Sequence, residues 1–366
     1  MKLLMTKNQI KLFDPIVGIQ EKNAINRVLK SKYWADGSGQ RQVKEFEQLF
    51  SKYVNSKSCV AVNNGTSALH LAVSLFNVKD KEVILPSITF ASTAHAILYN
   101  GGIPIFADIN PKTLCLDPNS VIKKITKNTK MILPVHFAGM ACDMNSLKKI
   151  AKDYDLNLVE DAAHASGSKY KNKKIGSIGD ATCFSFHPVK NLAMPGGGAI
   201  TLNDKNSKKY DELIRIRRWC GISNRVGHNY EVDEIGWNFY MNEFSAAMGI
   251  VQLKKLDKMN EARKKIAKKY DRKIELKNKI PFSEECSYHI YWIQVENRDL
   301  FMQKMKEHSI ETGIHYRPLH KMKLYYKKQK LPVTDDIGNK LVSLPIHPNL
   351  SSLDVEKIIK LTNKFS

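Results

Sequence analysis

Between Cys59 and Leu202 short apolar runs alternate with helix-length amphipathic stretches. Cys59-Val60-Ala61-Val62 reads as a strand and precedes a helix over Ser67–Leu75. Glu82–Pro86 precedes a helix over Thr93–Tyr99, and Pro104–Asp108 is a strand that ends in a turn. Lys130–Val135 leads to a helix over Met144–Tyr154, and Asn157–Glu160, Ala181–Phe186 and Ala199–Leu202 supply further strands. This order predicts an α/β fold, a mostly parallel central sheet with helices on both faces. Ligands of such sheets lie beyond the carboxyl ends of the strands, where the unusual residues of this chain fall.

The texture changes at Lys254–Lys273, a dense basic run whose Leu256, Met259 and Ile266 predict an amphipathic helix with a solvated charged face. After it, a strand over Ser287–Val295, a helix over Leu300–His308, a strand holding His315-Tyr316 and a terminal helix over Leu353–Phe365 predict a smaller α/β domain. The expected division is a large domain over 1–255 and a small one over 256–366. Neither an internal repeat nor a low-complexity linker separates them.

Composition narrows the function classes. With 366 residues, 43% of them hydrophobic, the chain can bury a sizeable core. Met1–Lys7 offers no apolar run for a signal peptide, and nothing approaches the roughly 18–20 apolar residues of a membrane span. The expectation is a soluble, cytoplasmic protein with no membrane partner. A net charge of +22 suits phosphorylated substrates or nucleic acid. Only Tyr270 interrupts the basic run, too few aromatics for a nucleic-acid stacking platform, so no nucleic-acid partner is expected. The six cysteines are scattered, with no CxxC and no Cys/His cluster, and predict reduced thiols and no metal site.

Three segments carry chemistry. Asn63-Asn64-Gly65-Thr66-Ser67 follows a strand and opens a helix, so Gly65, Thr66 and Ser67 form either a phosphate cradle or an ordinary helix cap. Val159-Glu160-Asp161 puts acids at a strand end, where a buried carboxylate needs a positive partner. Asp161 suits a protonated pyridine nitrogen; the plain alternatives are a turn cap or an arginine pair. In Phe184-Ser185-Phe186-His187-Pro188-Val189-Lys190, an apolar strand ends in a turn carrying Lys190, and Gly196-Gly197-Gly198 permits close backbone approach. A desolvated lysine amine beside a cationic ring has a lowered pKa and forms Schiff bases.

Together these segments resemble the pyridoxal-phosphate (PLP) dependent sugar aminotransferases of the DegT/DnrJ/StrS family, a branch of the fold-type I aminotransferases. The resemblance runs from Val43–Glu47 through Leu85–Phe90, His136–Gly139, Glu160–His164 and Ser185–Lys190. It continues in Gly236-Trp237-Asn238, Gly313–Tyr316 and Ser343-Leu344-Pro345. It implies that Lys190 bonds to PLP and moves protons, and that Asp161 pairs with the pyridine nitrogen. Phe90 would stack on the ring and His164 would lie near its phenolic oxygen. Gly65, Thr66, Ser67 and Ser185 would hold the phosphate, with Asn238 reaching it from the second subunit of a homodimer. His187, His315, Tyr316 and Arg317 are substrate candidates, with Arg317 and Lys321 facing the nucleotide diphosphate.

The implied reaction is a ping-pong transfer from glutamate to a nucleotide-linked keto sugar, a 4-keto-6-deoxyhexose as in GDP-perosamine synthesis. The chain departs from the family in Asn191–Gly198, in Cys220 where histidine is frequent, and in Phe239-Tyr240-Met241. These changes bear on substrate identity. Sugar dehydratases of the same family carry histidine where Lys190 stands, a non-catalytic regulator would not need Asp161, Ser185 and Lys190 together, and a dehydrogenase would need a glycine fingerprint that is absent.

Overall fold

The computed structural model describes residues 9–326 and 329–366; the reading of Met1–Lys7 lies outside them. Its centre is a seven-stranded sheet ordered Ser58–Val62, Gly198–Leu202, Ala181–Ser185, Asn157–Asp161, Thr129–Ile132, Glu82–Pro86, Ile103–Ala107. Gly198–Leu202 runs antiparallel to both neighbours, and every other pairing is parallel.

Side chains alternate across this sheet with period two, and both faces are apolar. Val60, Val83, Leu85, Met131, Val159 and Ile200 enter one core, while Ile84, Ile132 and Leu158 enter another on the opposite face. Ala61, Phe184 and Ala199 join a third core, beneath the helix Gln42–Val54. Helix Gly65–Ser74 follows the first strand directly, its N-terminus capped by the Asn64 side chain, which accepts from the Ser67 N–H at 2.8 Å.

The basic run belongs to a 31-residue helix, Glu243–Lys273, capped by Asn242. Leu256, Met259 and Ile266 are buried along it, as the pattern predicts. Arg263 departs from that pattern: it is buried on the apolar face, and burial pushes its guanidinium down to about 10. The expected boundary at 255/256 lies inside this helix. The C-terminal part pairs Tyr291–Gln294 antiparallel with Leu341–Leu344, flanked by helices Arg298–Glu307 and Ser352–Phe365.

An N-terminal strap is stitched onto this C-terminal part. Ile10 bridges Ile310, the Leu12 N–H donates to the Glu311 carboxylate at 2.9 Å, and His347 Nε2 donates to the Lys11 carbonyl at 3.0 Å.

Two sequence expectations are corrected. His315-Tyr316 lies outside any strand, since pairing in that segment stops at the single bridge Gly313–Ser343. The strand expected over Ser287–Val295 begins only at Tyr291, because the backbone before it is held elsewhere: the His289 N–H donates to the Ala138 carbonyl and the Ser287 N–H to the Ser168 hydroxyl. Helices Ile19–Ser31, Gln42–Val54 and Ser207–Arg218 and the hairpin Ile222–Val226/Asn229–Val232 were not predicted as elements. Among the described residues no helix is long and apolar enough to cross a membrane, no His/Cys/Asp/Glu group is arranged to hold a metal, and every cysteine is a free thiol.

Candidate active site

A cavity of 370 Å³ opens at the carboxyl ends of the parallel strands. Each adjoining loop delivers part of its wall: Asn64, Gly65 and Thr66 after the first strand, Thr89 and Phe90 after Pro86, then Asp161 and Ser185. Gly65 sits where a Cβ would come 2.7 Å from the Ser185 Cβ, so only glycine lets these two loops meet. Gly198 serves the same packing from behind, with a virtual Cβ 2.4 Å from the Asn64 carbonyl.

Asp161 is buried at its strand end. The Thr93 hydroxyl donates to Oδ2 at 2.7 Å and the Ala163 N–H to Oδ1 at 3.1 Å. Thr89 extends the chain through a 2.7 Å contact with the Thr93 hydroxyl. Burial raises the Asp161 pKa, against these hydrogen bonds and the pull of Lys190. Asp161 thus caps a turn, as the plain reading has it, yet forms no ion pair among the described residues. One buried anion is left facing the cavity.

Lys190 lines the same cavity, its loop closed by the Lys190 N–H donating to the His187 carbonyl at 2.8 Å. Desolvation by packed neighbours lowers its amine to about 8, despite the attraction of Asp161. The next residue anchors it: the Asn191 amide donates to Asn260 on the long helix and to the Ser287 carbonyl, both at 2.8 Å.

Imidazoles crowd the inner wall. His164 Nδ1 accepts the Ala138 N–H at 3.3 Å, leaving the ring proton on Nε2 to face the Tyr316 hydroxyl at 3.0 Å. Burial holds His164 well below the usual histidine range. His315 contacts the Ser343 hydroxyl through Nδ1 at 2.9 Å and is pushed down to about 4, by burial first and then by Lys190. Tyr316 is raised above the usual phenol range by burial. Its ring lies 5.9 Å from that of Phe90, which is 59% exposed at the cavity mouth. His187 is on the wall but faces solvent.

Gly65, Thr66, Phe90, Asp161, His164, Ser185, His187, Lys190, His315 and Tyr316 therefore converge. The others stand apart. The Ser67 hydroxyl is buried and donates to Asn63 at 2.7 Å. Asn238 is exposed outside the cavity, its carbonyl accepting from the Asn63 amide. Arg317 is exposed, and Lys321 is paired with Asp335 at 2.7 Å.

Four residues of the site escaped the sequence. Phe13 reaches the wall from the strap to pack against His315 near the other end of the chain, and no pattern marks it. Thr89 and Thr93 were visible only as a four-residue spacing across a helix start. His289 was marked by one polar ring inside the apolar run Tyr288–Trp292.

The chain is similar along nearly its whole length to known proteins and solved structures. GDP-perosamine synthase of Escherichia coli O157:H7 is 33% identical over 364 residues, covering 97% of this chain and 98% of the relative. Helicobacter pylori PseC, an aminotransferase of pseudoaminic acid biosynthesis, superposes with a TM-score of 0.92 at 29% identity, covering 98% of this chain and 99% of its own. Spr1654 of Streptococcus pneumoniae, solved in a PLP form, superposes with a TM-score of 0.91 at 26% identity, covering 98% of each chain. Matched from residue 15 to residue 362, the chain belongs to the DegT/DnrJ/EryC1/StrS aminotransferase family.

Proposed function

We propose that this protein is a PLP-dependent aminotransferase that moves the amino group of glutamate onto a keto sugar carried by a nucleoside diphosphate, a 4-keto-6-deoxyhexose as in GDP-perosamine synthesis. One observation carries the reading: a desolvated lysine amine and a buried carboxylate that forms no contact ion pair share one cavity. A protonated pyridine is the charge that Asp161 lacks. Bound there, PLP supplies an electron sink through which a Cα–H bond is weakened and an amino group exchanged.

The protein's own groups do the rest. Asp161, oriented by Thr93 and Ala163, holds the proton on the ring nitrogen. Thr66, Ser185 and the N-terminus of helix Gly65–Ser74 receive the phosphate. Phe90 would cover one face of the ring, and His164, which contacts the Tyr316 hydroxyl, would lie near the phenolic oxygen. Lys190 takes and returns the proton that moves between carbon atoms, in one half-reaction with glutamate and another with the sugar. His187, His315 and Tyr316 contact substrate, and exposed Arg317 meets the diphosphate.

Asn238 acts in a neighbouring copy, which makes the working unit a cytoplasmic homodimer. Its exposure outside the cavity supports this, as do the exposed apolar side chains of Val226, Val232 and Ile235 close to it in sequence. The large and small parts, 1–255 and 256–366, hold the site between them, since His315 and Tyr316 come from the second.

The test is spectroscopic. Wild-type protein given PLP develops the visible band of lysine-bound cofactor, glutamate discharges it to the near-ultraviolet pyridoxamine form, and Lys190→Ala never develops it. Absence of the band in wild-type protein overturns the assignment.

A further inference from the structure

Resting on that reading, we propose that His289 is the positioning residue of Lys190: it holds the ε-amine by a hydrogen bond whenever the amine is free, in either protonation state. His289 Nε2 lies 3.3 Å from Lys190 Nζ. The ring is fixed from three directions. Its backbone N–H donates to the Ala138 carbonyl at 3.0 Å, Phe13 stacks on it at 5.3 Å with planes 20° apart, and His164 packs at 4.6 Å. The Asn191 amide ties the lysine loop to Ser287, two residues before His289, so the segments carrying amine and imidazole are held together.

The other ring nitrogen carries the argument. His289 Nδ1 is buried and has no partner among the described residues. A histidine tautomer is ordinarily locked by the hydrogen bond at its second nitrogen; here nothing locks it. With the proton on Nε2, the ring donates to the lone pair of a neutral amine. With the proton on Nδ1, Nε2 accepts from an ammonium or amine N–H. A lysine that takes a proton from one carbon and returns it to another passes through both states. An unlocked imidazole can hold it in each, at the cost of one unsatisfied nitrogen.

The groups facing Lys190 are consistent with a ring that stays neutral. Asp161 attracts the amine from the strand end, and His164, His187, His289 and His315 face it from the following turn, its own loop, the loop before Tyr291 and the segment after Gly313. Burial first, and then Lys190, hold His289 well below the usual histidine range.

The experiment uses cofactor-free protein. Capture joins the Lys190 nitrogen to the PLP aldehyde carbon with loss of one water, and is followed as growth of the visible band across pH. Pyridoxamine phosphate, an amine that cannot bond to lysine, reports the cofactor site separately by titration calorimetry. His289→Leu is expected to slow capture roughly tenfold to a hundredfold, the scale set by supporting partners elsewhere. It also moves the midpoint of capture downward by roughly one pH unit, because the ammonium loses more than the amine when an acceptor goes. Pyridoxamine phosphate affinity stays within about twofold, and His289→Gln, which offers a donor or an acceptor, restores most of the rate. Wild-type rate and midpoint in His289→Leu overturn the proposal. So does loss of pyridoxamine phosphate binding in both variants, which makes the ring merely structural. Failure of wild-type protein to capture PLP is a different result and overturns the enzyme assignment with it.

Discussion

At the scale of single residues the site works by placing two groups where water would not leave them. A lysine at its ordinary value is neutral in roughly one molecule in three thousand at pH 7; lowered to about 8, Lys190 is neutral in roughly one in ten. The rate of PLP capture should therefore rise with pH and level off above about 8, which stopped-flow absorbance across pH will register. Asp161→Asn keeps the shape but loses the charge. It should still develop the visible band while its single-turnover rate with glutamate falls by roughly 10²–10³. Both residues stood out in the sequence, a lone lysine between apolar strands and an acid at a strand end, although for Asp161 a turn cap and an arginine pair stayed open without the family resemblance. His289 did not. Its importance lies in a 3.3 Å contact with a residue 99 positions away, and to the sequence it is a histidine in an apolar run.

The elements themselves follow the hydrophobic pattern wherever both sheet faces are buried. Every strand of the central sheet lies at its predicted place to within a few residues, because continuous apolar runs of that length have no other use. Legibility fails where charge covers the pattern: helix Ser207–Arg218 is dense in lysine and arginine, and its buried Arg218 meets Glu47 at 2.7 Å, 171 positions away. The glycines are decided at this scale. Gly65→Ala drives a methyl into Ser185 and Gly198→Ala into the Asn64 carbonyl, so each should lower unfolding free energy by about 1–3 kcal/mol and weaken pyridoxamine phosphate binding. Gly227 has a positive φ of 63° but open space around it. Gly227→Ala should cost only about 1–2 kcal/mol, with cofactor binding untouched. Chemical denaturation and calorimetry on the three variants separate the two effects.

At the scale of the whole molecule, the proposed assignment gives one phosphate ligand to a second copy. If Lys190 and Asn238 serve one site from two chains, Lys190→Ala and Asn238→Ala should each be impaired as pure protein, the latter by roughly tenfold in cofactor affinity. Refolded as a mixture, they should regain activity, since hybrid pairs contain one site with both residues intact. Impaired mixtures would place Asn238 in its own chain's site. Sedimentation should meanwhile show a dimer. The strap carries a consequence of another kind, one of timing. Leu12 and Glu311, 299 positions apart, meet only after the ribosome has spent about 15–60 s on the residues between them. Phe13 rides on that strap into the wall of the cavity. Until the C-terminal part emerges, the nascent chain can have a finished sheet and still lack a closed pocket, so the catalytic chamber is among the last things this chain completes.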